Sequence, residues 1–117
     1  MIQARELRIG NLFIAHDGKV FKWDISLFGL LDQGVGLDKI IKEPIGLTDE
    51  FLVEFGFEAF PWGWIKKSSN DFGVRINLRS YNYEVSGNSP VKIQFVHQLQ
   101  NLFFVLTGEE LIVVNVI

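Results

Sequence analysis

The stretch FVHQLQNLFFVLTGEEL, from Phe95 to Leu111, decides the fold because it carries a helix pattern with a clear end. With residues 100° apart, one side of it is apolar and consists of Phe95, Leu99, Leu102, Phe103 and Leu106. Gly108 follows Thr107, and glycine readily adopts the left-handed conformation that closes a helix. We therefore predict an amphipathic helix over 96–107, around which the rest of the chain packs.

The other side of this predicted helix carries hydrogen-bonding side chains around one aromatic ring. These residues are His97, Gln100, Asn101 and Phe104. Such groups can bind a peptide or another subunit, and they can equally form a solvated helix face with the ring covered by a loop. We treat the four residues as a candidate site for a protein partner.

The length and composition of the chain predict a single domain over residues 1–117. A chain of 117 residues can bury one core but is too short for two domains. Hydrophobic residues make up 48% of it and eleven are phenylalanine, which leaves more apolar surface than a small body easily covers. A homo-oligomer is therefore one expectation. The absence of cysteine excludes disulfides, thiolate zinc sites and cysteine nucleophiles.

Two patterns bear on localisation. Arg5 and Glu6 place charges where an export signal needs an apolar run. The longest uncharged run, from Ile93 to Gly108, contains histidine, asparagine and three glutamines, so it is too polar and too short to cross a bilayer. We expect a cytoplasmic protein that does not enter membranes.

The first part of the chain predicts a β-hairpin followed by a loop. Asp17-Gly18 is a strong turn signal between two apolar runs, and the second run continues as far as Ile25. Residues 29–46 are rich in glycine, so we expect a loop there, with a short strand near Lys39 to Lys42.

The second part predicts another helix and a sheet. Thr48 can accept hydrogen bonds from first-turn amides, which indicates a helix over 49–55. From Phe57 to Phe95 apolar residues alternate with polar ones, with a phase slip near Arg79-Ser80, so we expect an antiparallel meander of about four strands. One of these strands would include Phe60, Trp62 and Trp64.

The fold class that these patterns predict is α+β: an antiparallel sheet with an N-terminal β-hairpin and two helices packed on it. The last residues, 111–117, are almost uniformly apolar and predict either a strand buried on both faces or a tail that needs cover.

Three blocks of the sequence carry a family resemblance. They are ELRIGN (Glu6 to Asn11), PIGLTDEFLVEFGFE (Pro44 to Glu58) and VHQLQNLFFVLTGEEL (Val96 to Leu111). Together they resemble a family of uncharacterised small proteins of gut anaerobic bacteria and their phages or mobile elements. The resemblance implies an intracellular accessory protein that is phage-related. The family has no assigned activity, so no catalytic residues are carried over.

The inventory of reactive groups predicts no enzyme. The two histidines, His16 and His97, do not have the spacing of a metal site, and no serine lies in a nucleophile elbow. The adjacent acids Asp49 and Glu50 are explained by the positive end of a helix. We expect no catalytic residues, no metal and no cofactor.

Binding is the function class that remains. We expect a non-enzymatic protein-interaction or self-associating accessory protein. The alternative is a single-stranded nucleic-acid binder, because aromatic side chains for stacking stand near cations for phosphates in the predicted strands. That alternative site consists of Trp62, Trp64, Lys66, Lys67, Arg75, Arg79 and Tyr81. An overall net charge of −3 counts against it.

Overall fold

The computed structural model describes residues 6–69, 73–77, 81–83 and 91–111. These residues form an α+β fold with two three-stranded antiparallel sheets, which confirms the predicted fold class. The strands are β1 (Leu12–Ile14), β2 (Val20–Lys22), β3 (Glu43–Pro44), β4 (Glu58–Phe60), β5 (Gly63–Lys67) and β6 (Gly73–Ile76). The helices are α1 (Ile25–Asp32), α2 (Leu37–Ile40), α3 (Asp49–Glu54) and α4 (Val96–Thr107).

The first sheet has the strand order β2-β1-β3, and its hairpin is the predicted one. Gly18 turns the chain with φ of 84°, and the Asp17 carboxylate accepts from the Lys19 amide at 2.9 Å. The predicted extension of the second strand to Ile25 is wrong, because Asp24 instead caps α1 by accepting from the amides of Ser26 and Leu27.

The segment after this hairpin is more helical than predicted. The short strand expected near Lys39 to Lys42 is wrong: α2 occupies residues 37–40, and the strand is β3, at Glu43–Pro44. The loop prediction over 29–46 gave too much weight to the glycines. Side chains at helical spacing pack against a small core and hold α1 in place; they are Leu27, Phe28 and Leu31.

Both predicted helices are confirmed. Thr48 accepts from the Phe51 amide and caps α3, while α4 ends at Gly108, which has φ of 75°. The Gln98 side chain reaches back and accepts from the backbone amides of Gln94 and Phe95. These two amides just before α4 therefore have hydrogen-bond partners.

The second sheet has the order β4-β5-β6. Phe60 and Trp64 do not share a strand as predicted, because the chain turns at Pro61-Trp62 and residues 58–60 pair back on 63–65. Isolated bridges then link Tyr83 with both Ile76 and Val91. The phase slip predicted near Arg79-Ser80 lies outside the described residues, as does the tail after Leu111.

Two cores meet at α4. The larger core joins the second sheet, α3 and the Val96, Leu99 and Phe103 side of α4, while the smaller lies between the first sheet, α1 and α2. Leu102 and Leu106 are half-buried against the larger core, so the predicted apolar side of the helix is confirmed. The helix therefore has neighbours on more than one side.

Candidate functional site

The polar side of α4 faces the N-terminal segment, which we define as Glu6 to Asn11. His97 and Gln100 were predicted to project from a free face, yet each is only 1–2% exposed. Both side chains are occupied within the chain. The candidate partner site assumed that these side chains face solvent, and His97 and Gln100 do not.

Gln100 binds the backbone on either side of Asn11. Its Oε1 accepts from the Leu12 amide at 3.0 Å, and its Nε2 donates to the Gly10 carbonyl oxygen at 2.9 Å. A buried amide side chain that pairs with two backbone groups replaces hydrogen bonds that water would otherwise supply. Gln100 thus supplies, at the start of β1, the backbone hydrogen bonds that a neighbouring strand would otherwise make.

Asn101 extends the same contact by one residue. Its Nδ2 donates to the Glu6 carbonyl oxygen at 2.7 Å, and its Oδ1 accepts from Nδ2 of the buried Asn11 at 2.9 Å. Asn11 in turn accepts from the Arg8 amide at 2.7 Å, which folds the N-terminal segment into a tight turn. The bonds made by Gln100 and Asn101 together form what we call the α4 clamp.

His97 lies at the inner end of the clamp. Its Nε2 is 3.2 Å from Oε1 of Glu6, and its ring centroid is 5.0 Å from that of Phe13. Burial lowers the pKa of His97 below its ordinary value of 6.5, and the hydrogen bond to the Glu6 carboxylate opposes this shift. The imidazole is accordingly neutral at pH 7 and serves as packing with one hydrogen bond.

A histidine beside a carboxylate is also a common catalytic pair, so its accessibility decides how it can be used. At 1% exposure the imidazole offers a substrate no approach. A small cleft of about 150 Å³ lies close by, but its wall is formed by residues such as Ile9, Gln100 and Leu111 and does not include His97.

Phe104, the fourth residue of the candidate partner site, is 37% exposed. The guanidinium of Arg8 lies over its ring, with Cζ 3.7 Å from the centroid, and forms an ion pair with Glu110. One face of the ring is therefore covered by the N-terminal segment. Of the four predicted residues, Phe104 keeps the most exposed surface.

The residues of the alternative, nucleic-acid site are dispersed. Trp64 is 5% exposed and belongs to the larger core. Tyr81 donates its hydroxyl hydrogen to Asp49, and burial together with that carboxylate raises the pKa of Tyr81 to about 12. Arg79 lies outside the described residues. These positions do not form a common platform for bases.

The two lysines of that site are consecutive on β5 and so start from opposite faces of the second sheet, although both side chains line one cleft. Lys66 pairs with the buried Val74 on the inner face, and Lys67 pairs with Gly73 on the outer face. Lys66 then bends over Gly56, where a β-carbon would lie 2.8 Å from its Nζ. Its charge also helps to lower the pKa of Glu109, after the hydrogen bonds that Glu109 accepts from Ser69.

Trp62 and Arg75, the remaining two residues, do lie together. Phe60 stacks on Trp62 with centroids 5.0 Å apart and planes 2° apart, and Cζ of Arg75 is 4.3 Å from the centroid of the Trp62 ring. We call this group of three the aromatic stack. Its rings remain open to solvent, Phe60 at 37% and Trp62 at 48%.

Sequence reasoning missed Phe60 as a member of this group. The signal that could have found it is Phe60-Pro61-Trp62-Gly63, because proline and glycine flank Trp62 and are typical of a tight turn. A turn brings residues 60 and 62 to the same end of a hairpin, whereas a continuous strand would have separated them along one face.

The stack stands at one end of the outer face of the second sheet. Cross-strand register places Glu58, Ile65 and Arg75 in one row of this face and Lys67 beside Gly73 in another. A cleft of about 430 Å³ opens along the β4 side of the sheet. It is lined by Gly56, Glu58, Phe60, Ile65, Lys66 and Lys67.

Metal clusters and membrane-spanning helices are two further features that can indicate function. No group of three or more histidine, aspartate or glutamate side chains suited to a metal ion occurs among the residues that the structure describes. Within that part of the chain, no helix has the length and apolar character needed to cross a membrane.

Known proteins add nothing to this description of the site. Comparisons with protein-family models, with curated proteins and with solved structures found no match.

Proposed function

We propose that this chain is a non-enzymatic protein-interaction module that contacts its partner through the aromatic stack. The observation that carries the proposal is the parallel packing of Phe60 on Trp62, beside Arg75, while both rings stay open to solvent. In keeping with the family resemblance, we place it among cytoplasmic accessory proteins of phages or mobile elements. Its partner is either another protein or a second copy of the chain.

The energetics favour the stack as a contact surface. Burying a large apolar side chain is worth about 1.5–3 kcal/mol, so covering Phe60 and Trp62 supplies a substantial part of a binding free energy. The two rings already pack against each other, and the guanidinium lies over the indole, so little side-chain entropy is lost on binding. Tryptophan and arginine are also the residue types that dominate measured interface energies.

The nucleic-acid alternative has less support from the same contacts. A base would have to stack on Trp62, whose ring already carries Phe60 and Arg75. Trp64 is in the core, and Tyr81 is bonded to a carboxylate. The surface is better arranged for one hydrophobic contact than for a row of bases.

A capture experiment with matched variants tests the proposal. We would immobilise the protein, expose it to host lysate and compare the wild type with Trp62→Ala and with Val53→Ala, which changes an apolar residue on α3 that is 63% exposed. We expect at least one protein to be retained by the wild type and Val53→Ala and lost from Trp62→Ala. Identical retention by all three would overturn the proposal.

Sedimentation velocity separates the two kinds of partner. If a second copy covers the stack, the mass of the purified wild type rises with concentration and that of Trp62→Ala does not. If another protein covers it, both stay monomeric over the same range and only capture from lysate differs. A self-association that persists unchanged in Trp62→Ala would place the interface elsewhere and contradict the proposed role of the stack.

A further inference from the structure

The stack adjoins an open edge of the second sheet. In the described part of the chain β4 pairs with β5 alone, and its three residues are all exposed. A strand with one neighbour has half of its backbone donors and acceptors directed outward, and such an edge can pair with a further strand. Ala59 lies opposite Trp64 on the inner face of the sheet, yet it is exposed. The core therefore does not extend over β4.

The cleft along this edge has both apolar and basic residues in its lining. Phe60 and Ile65 supply its apolar lining, and Lys66 and Lys67 supply its basic lining. Gly56 also lines the cleft, and with φ of 93° its backbone favours glycine. A β-carbon there would lie 2.8 Å from Nζ of Lys66, so glycine leaves room for that ammonium group.

The charges around the cleft are unequal. Two lysines and one acid, Glu58, line it, so the positive charge is in excess. Glu109 partly offsets Lys66, but Lys67 is exposed and has no ion-pair partner among the described residues. The neighbouring Arg75 adds a further positive charge above Trp62. An occupant that brings carboxylates is favoured over one that brings ammonium groups.

We propose that this cleft takes an extended acidic peptide, which adds a strand to the open edge of β4. Its backbone pairs with β4, its carboxylates meet Lys66 and Lys67, and an apolar side chain packs on Phe60. Residues two apart in an extended segment lie on the same side, so a carboxylate and an apolar side chain at that spacing can reach the basic and the apolar lining together. This inference rests on the proposed function, since it names the chemistry of the partner at the same surface.

The indole of Trp62 provides a direct readout. Trp23 and Trp64 are at most 5% exposed, so Trp62 is the tryptophan most open to acrylamide. The probe is a synthetic peptide that repeats Glu-Glu-Leu-Leu, which puts both residue types on each side of an extended strand and contains no tryptophan. We expect saturable protection of Trp62 from quenching, weakened about tenfold when the ionic strength rises from about 0.05 to 0.5 M. A lysine-leucine peptide should bind at least about tenfold more weakly.

Three sets of variants locate the contact. Lys66→Ser combined with Lys67→Ser should weaken binding about tenfold or more, whereas the matched change of the exposed Lys39 and Lys42 in the first half should leave it unchanged. Glu58→Gln should tighten binding by about two- to fivefold, because it removes a like charge from the cleft. A glutamate-leucine peptide methylated at alternate backbone nitrogens should lose binding, because it cannot donate to the edge strand.

Several results would overturn the inference. These are equal binding of the lysine-leucine peptide, equal loss in the Lys39 and Lys42 variant, or full binding of the methylated peptide. Tighter binding of a labelled oligothymidylate would instead assign the surface to nucleic acid. If the glutamate-leucine peptide fails but lysate capture still depends on Trp62, only the inference about an acidic strand is lost. If capture is independent of Trp62, the proposed function itself is wrong.

Discussion

The polar side of α4 and the outer face of the second sheet both differ in exposure from what their composition suggests, and they do so in opposite directions. The first is built from a histidine and two amides and yet is covered, while the second includes two large aromatic rings that stay exposed. The amides are covered because Gln100 and Asn101 each find backbone partners in the N-terminal segment. The rings are exposed because a tight turn lifts Phe60 and Trp62 to the end of a hairpin.

This contrast shows that polarity and function are separate questions. A polar side chain can be buried at little cost when each of its groups is paired, and it then specifies one arrangement of the chain. An apolar side chain can stay exposed when the fold offers it no cover, and it then marks a surface for contact. Changes at each region should therefore have different consequences, which the following experiments measure.

The largest effect is expected in the α4 clamp. Gln100→Leu keeps the apolar bulk but leaves the Leu12 amide and the Gly10 carbonyl without their partner. Two unsatisfied groups, one buried and one partly buried, at about 1–3 kcal/mol each predict a loss of roughly 2–6 kcal/mol in the free energy of unfolding, read from urea denaturation. The control Gln33→Leu, at an exposed position, should change it by less than about 0.5 kcal/mol. Equal effects would mean that the clamp does not hold the fold together.

The next largest effect is expected at Asn101. Asn101→Ala removes two partly buried hydrogen bonds, one to the Glu6 carbonyl and one to Asn11. The free energy of unfolding should therefore fall by about 1–3 kcal/mol. The N-terminal segment should also exchange its amide hydrogens faster, while the amides of β5 stay protected. Hydrogen exchange followed by mass spectrometry measures both. Uniformly faster exchange would show that the clamp is not a local contact but part of one cooperative unit.

A smaller effect concerns pH. Because burial lowers the pKa of His97 below 6.5, the folded state binds fewer protons than the unfolded state as the pH falls past that value. Stability from this group is thus present above pH 6.5 and is lost progressively at lower pH. His97→Gln should flatten the dependence of the unfolding free energy between roughly pH 5 and 7, where an unperturbed histidine would titrate. An unchanged slope would assign the acid sensitivity to carboxylates elsewhere.

The smallest effect on stability is expected at the aromatic stack. Trp62→Ala removes a side chain that is half exposed, so the free energy of unfolding should fall by less than about 1 kcal/mol, although partner capture is lost. Thermal unfolding monitored by circular dichroism gives the first quantity. If the variant is as destabilised as Gln100→Leu, the stack is part of the core and the contrast between the two regions disappears.

Local signals accounted for the first hairpin, α3 and α4. Thr48 and Gly108 mark helix ends because capping depends on neighbouring backbone amides and on the freedom of a single residue. The helix α1 was missed because Ile25 was assigned to the preceding strand and the residues from Gly29 onward to a glycine-rich loop, although Asp24 caps a helix there. The turn at Pro61-Trp62 was missed because alternation of apolar residues looks the same in one strand and in two strands joined by a tight turn.

The candidate site was less accessible to sequence reasoning. The spacing of His97, Gln100, Asn101 and Phe104 places them on one stripe of a helix, and the structure confirms that shared stripe. Spacing cannot show what lies opposite, which here is a segment about ninety residues earlier in the chain. Phe60 and Arg75 likewise meet Trp62 only because three strands align in one register.

The sequence by itself determined the α+β class, the helices α3 and α4, the first hairpin and the apolar side of α4. Each of these depends on residues within a few positions of one another, through capping, turn geometry and side-chain period. The tertiary structure alone decided which polar groups would be buried and which rings would stay exposed. That choice depends on pairing between distant segments, because a Gln100 amide is stable in the core only where a backbone such as that of Gly10 and Leu12 lies within hydrogen-bonding distance.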